Sequence, residues 1–161
     1  MVHEAIHIFM DIVEARNAAR APGTALVDPN IDHASYATLQ ASLETALAPF
    51  VTQLRALKSI TPQQLKSTVQ ADARSTAKRF VSEAVARTEA GVFTKQRAGQ
   101  AFAAGDLRAL PPFIRIPDYW TPKPAQDTDF ASFLQANQAQ LDATIQPIIL
   151  QIEERYLNLR P

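Results

Sequence analysis

Apolar residues recur at intervals of three and four along most of this chain, and nowhere do they alternate for long. Phe130, Phe133, Leu134, Leu141, Ile145, Ile148, Ile149, Ile152 and Tyr156 form one such series, the spacing of a helix face that must be covered. No period-two run of β-branched residues reaches five, so there is little from which to build a sheet. Composition points the same way. The chain has only 4 glycines, and alanine, leucine, glutamine, arginine and glutamate, all good helix formers, fill much of it. An all-α fold is expected, with residues 1–161 forming a single-domain bundle of about five helices.

Helix breakers divide the chain. A first helix is expected over 2–19, ended by Ala21-Pro22-Gly23-Thr24. Asp32 caps a second over 33–58, which Pro49 should kink or split near Ala48. Thr61, Pro62 and Gln64 have the order of a capping box with proline at N1, opening a helix over 62–90. Gly91 should stop or bend it into a further segment over 93–104. Leu110 to Pro124 holds five of the 11 prolines and the only tryptophan. Residues 110–126 are therefore expected as an extended strap over the helices. Asp127 or Thr128 caps a C-terminal helix over 129–158, with a kink at Pro147.

Charge and cysteine content exclude several classes. Sixteen basic side chains balance 16 acidic ones, which gives no field to draw nucleic acid or an anionic membrane. Cysteine is absent, excluding a disulfide framework, a thiolate metal site and a cysteine nucleophile. No segment has the order of a signal peptide and no apolar run approaches the length of a spanning helix. The expectation is a soluble protein, cytoplasmic by default, with neither nucleic-acid nor membrane partners.

The chemistry is concentrated near the start. Residues 3 to 7 read His3-Glu4-Ala5-Ile6-His7, an H-E-x-x-H pattern. On a helix, His3 and His7 lie on one face a turn apart, where two imidazoles can hold Zn2+ at about 2.0–2.1 Å. Glu4 projects beside them, placed to take a proton from a zinc-bound water. Asp11, four residues after His7, could accept its second imidazole proton. His33, the remaining histidine, is either an alternative third ligand or a first-turn surface residue.

A catalytic zinc usually has three protein ligands. With Ser82-Glu83-Ala84-Val85-Ala86-Arg87 the chain resembles the gluzincin branch of the zincin metallopeptidases, whose third ligand is a glutamate in an E-x-x-A context on a later helix. The resemblance implies His3, His7 and Glu83 as ligands and Glu4 as general base, acting on a peptide or protein substrate. Glu89, about 240° further round the helix, would point elsewhere, and Tyr36 or Tyr119 could steady an oxyanion. The chain departs from the family in lacking the sheet ahead of the motif helix, and it has no glycine turn with a further histidine as in the metzincins. A protein partner or an N-terminal segment would then supply the edge strand. Two alternatives stand beside the hydrolase: a non-catalytic helical interaction module, and a degenerate zincin that binds metal without turnover.

Overall fold

The computed structural model describes residues 2–56, 72–110 and 128–160. Most of these residues are helical, with no strand among them, and they form an all-α bundle. The proposed helix start at Thr61-Pro62, the strap from residue 111 onward with Tyr119, and the Asp127 cap lie outside the described residues.

Helix α1 (Val2–Ala18) buries Met10 and Val13, with Ile6 packed beside them. Asn17 then ties down the following loop, its amide exchanging hydrogen bonds with the backbone of Val27 at 2.8 and 2.9 Å. A 3-10 turn, His33–Tyr36, starts at Asp32, whose carboxylate accepts from the Ala34 N–H at 2.6 Å. The expected second helix therefore begins later, as α2 (Ala37–Arg55). Its Leu43, Leu47, Phe50, Val51 and Leu54 are buried, each fully buried side chain contributing about 1.5–3 kcal/mol. Pro49 neither splits nor ends α2. Both Pro49 and Thr45, whose carbonyl loses its N–H partner, are exposed, so water can serve that carbonyl.

Helix α3 (Ala73–Arg97) is the axis of the bundle and packs against α1, α2 and the C-terminal helix. Asp72 caps it, accepting from Ser75 N–H at 2.7 Å. Ala77 and Ala84 are fully buried, small enough to let neighbouring helices approach. The expected stop at Gly91 does not occur, because α3 runs through it. A Cβ there would lie 3.0 Å from Phe102 Cε2, so this glycine makes room for a ring. The stop is Gly99, at φ 71°. There Gln100 N–H bonds Lys95 O at 2.9 Å and Gly99 N–H bonds Gln96 O at 3.0 Å, a Schellman closure. No separate helix spans 93–104; a single turn, α4 (Ala104–Leu107), follows.

The C-terminal helix is two helices, α5 (Thr128–Thr144) and α6 (Gln146–Leu159), separated at Ile145. Pro147, in the first turn of α6, lacks the N–H that would continue the ladder. Ile145, Ile149 and Ile152 are fully buried, as is Glu153, which meets Arg87 of α3 at 2.9 Å. No described helix is long and apolar enough to cross a membrane.

Candidate metal centre

Contacts between α1 and α3 run in opposite senses along the two helices, His7 meeting Ser82 and Glu14 meeting Lys78. The helices are therefore antiparallel, and the His3–His7 turn lies against the middle of α3. Glu83 faces it. The carboxylate is nearly buried while the two imidazoles are partly open, and one ligand atom from each of the three residues falls within 4.8 Å of the others. His3 Nε2 is 3.0 Å and His7 Nε2 3.5 Å from Glu83 Oε2. A tetrahedral zinc with bonds near 2.1 Å needs ligand–ligand separations of about 3.4 Å, so these atoms stand close to the required spacing.

The outer nitrogens are occupied. His7 Nδ1 is 2.6 Å from Ser82 Oγ, and His3 Nδ1 is 3.2 Å from Glu4 Oε1, donating to that carboxylate. Both rings thereby turn Nε2 towards Glu83. His3 Nε2 and Glu83 Oε2 are buried and face one another at 3.0 Å without hydrogen-bond geometry, which fits a position where a cation would complete both. The electrostatics agree. The Glu83 carboxylate raises the pKa of His7 above its ordinary value, ahead of the opposing effect of burial. Burial works to raise Glu83, but His7, then His3 and Arg79, outweigh it and hold the carboxyl below its ordinary range. Arg79 Nε comes to 3.9 Å from Glu83 Oε1.

His7 and Glu83 border an open cleft of about 520 Å³ whose walls include Glu4, Asp11, Lys78 and Arg79. Glu4 is 79% exposed at its mouth. Asp11 also lines the cleft, but the His7 nitrogen assigned to it in the sequence reading is held by Ser82 instead. His33 is buried on the far wall and stands outside the trio; burial lowers its pKa, which suits a neutral structural imidazole. Tyr36 is turned away, donating to the carbonyl of Asn30. Glu89 points elsewhere, as its helical angle required, and bonds Tyr156 and Arg160.

Ser82 and Arg79 were missed in the sequence. Arg79 could have been found, since it lies one turn before Glu83 on the same face. Ser82 could not, because its role depends on the antiparallel register of α1 against α3. No known family, curated protein or solved structure matches this chain.

Proposed function

We propose that this chain is a zinc-dependent hydrolase of peptide or amide bonds, holding the ion with His3, His7 and Glu83 and using Glu4 as the general base. The observation that carries this reading is the convergence of those three ligand atoms within 4.8 Å from segments 76 or more residues apart in sequence. Two imidazoles and one carboxylate are a catalytic zinc donor set, leaving room for a fourth position. A zinc ion bound there would polarise a carbonyl and acidify water. Glu4 lines the same cleft, and its carboxylate, bonded here to the outer nitrogen of His3, would swing from that nitrogen to reach a zinc-bound water. Lys78 and Arg79 line the same cleft, Lys78 paired with Glu14 and Arg79 beside Glu83, and either would leave that partner to steady a substrate oxyanion.

The exposure of Glu4 favours a second reading, in which the site binds metal without turnover. The two separate in one experiment. Protein purified without a histidine tag is loaded with zinc, freed of excess by dialysis, and screened against a peptide library. Glu4→Gln should keep one equivalent of zinc and lose hydrolysis by roughly 10²–10⁴-fold, the usual contribution of a general base. Zinc bound with no cleavage by the unaltered chain supports the second reading. No zinc at all removes both.

A further inference from the structure

Helix α1 carries a second pattern that the metal trio does not use. Ala5, Ile8, Ile12 and Ala15 follow one another at intervals of three, four and three, with Ala19 just past the end of the helix, and all are exposed. Ile8 is 63% exposed and Ile12 44%, while Met10, about 200° round the helix from Ile8, is fully buried. This is a heptad seam on the side of α1 facing away from the bundle. Its edges differ. Glu4 and Asp11 flank one side; Phe9 and Arg16 flank the other.

We infer that a second copy of this chain docks along this seam, with the two α1 helices parallel and in register, and that the partner's Phe9 and Arg16 complete the rim of the metal cleft. Charge sets the orientation. In a parallel pair the residue at each g position meets the following e position of the other helix, so Asp11 faces the partner's Arg16 and Glu4 faces the partner's Phe9. An antiparallel pair would set Glu4 and Asp11 against the same acids. The seam is self-complementary, as a two-fold contact requires. Asp11 and Glu4 both border the cleft, so the partner's helix would form its missing outer wall and cover the exposed Glu4. The pairing stands on the α1 pattern alone; only its completion of the site rests on the hydrolase reading.

The full chain contains no cysteine, so a single introduced thiol can link only to its counterpart. Ala5→Cys should close into a covalent dimer on air oxidation, with or without zinc, and sedimentation equilibrium of the unaltered chain should show a monomer–dimer equilibrium. Ile8→Glu, at an exposed position, should sediment as monomer while keeping its helical circular dichroism. Asp11→Arg should weaken association by roughly two- to thirtyfold, because the two-fold pair loses two exposed ion pairs at once, and Asp11→Arg with Arg16→Asp should restore it. A chain monomeric at every concentration, with Ala5→Cys unlinked, overturns the pairing. Linking only between Ala5→Cys and Ala19→Cys copies overturns the parallel orientation. Because none of these readouts uses turnover, a failed dimer and a failed hydrolase are told apart.

Discussion

Glu83 and Arg87 sit one turn apart on α3, and each belongs to a polar cluster where the helix meets a neighbour. Around Arg87 the ion pair is sealed. Its side chain is 7% exposed, that of Glu153 is 0% exposed, and the two meet at 2.9 Å. Around Glu83 the partners are two imidazoles, side chains that serve as metal ligands in their neutral form, and a cleft opens beside them. The positive charge is covalently fixed in one cluster and exchangeable in the other. A buried carboxylate next to a permanent guanidinium is a structural element; one facing two imidazole nitrogens and an opening is a place for a cation that comes and goes.

The largest expected effect tests the open cluster. A zinc site of four ligands is worth about 10–16 kcal/mol, so His7→Ala should weaken zinc binding by roughly a hundred- to a thousandfold, read by competition with a chromogenic chelator. Metal-free stability in urea should also fall, because the nearly buried Glu83 carboxylate loses its leading partner. Retention of stoichiometric zinc by His7→Ala would remove it from the ligand set. The sealed cluster should behave in reverse. Arg87→Met leaves Glu153 buried without its cation and should cost about 3–5 kcal/mol in urea unfolding. Arg87→Met with Glu153→Leu should recover most of that, and neither variant should shift the zinc constant.

The two clusters also differ in their response to acid. Burial pushes the Glu153 carboxyl up to about 7 from an ordinary 4.5, against the pull of Arg87. The folded state therefore holds this proton where the unfolded chain has released it. That contribution is fully favourable below the unfolded value and is lost as pH climbs from about 4.5 through about 7, with no further change above. Urea midpoints of metal-free protein should fall across that window, and Glu153→Gln should flatten the fall. An unchanged profile in Glu153→Gln would assign it to other groups.

The all-α class was legible because spacing of three and four needs only local sequence, and His3, Glu4 and His7 were legible for the same reason. Glu83 was reached through a resemblance, and the structure sets it beside both histidines. What was misread required knowledge of neighbours. Gly91 has the composition of a helix stop, but whether a glycine ends a helix or admits a ring depends on Phe102. Pro49 has the composition of a breaker, and it is tolerated because its orphaned carbonyl faces water. Nothing local marks Arg87 and Glu153 as a pair, since they lie 66 residues apart on helices whose packing is a tertiary fact. Asp11 and His33 looked like partners for His7 because they were near in sequence or alike in chemistry.

The smallest of these effects isolates the contact that sequence missed. With a metal on Nε2, His7 Nδ1 would carry the proton and donate to Ser82 Oγ, which lies 2.6 Å away. That bond fixes both tautomer and ring angle, and losing such an outer partner typically weakens metal binding 10–100-fold. Ser82→Ala should therefore weaken zinc binding by about that factor, well short of the loss in His7→Ala, and Ser82→Thr, which keeps the hydroxyl, should restore it. Asp11→Ala and His33→Ala should leave the zinc constant unchanged. Substitution of Co2+ adds a readout of geometry, because a ring freed to rotate broadens the visible bands of a tetrahedral site even where metal remains bound. If Asp11→Ala reproduces the Ser82→Ala loss, the imidazole is oriented from α1 itself; if only Ser82 matters, the register of α1 on α3 sets the affinity of the site.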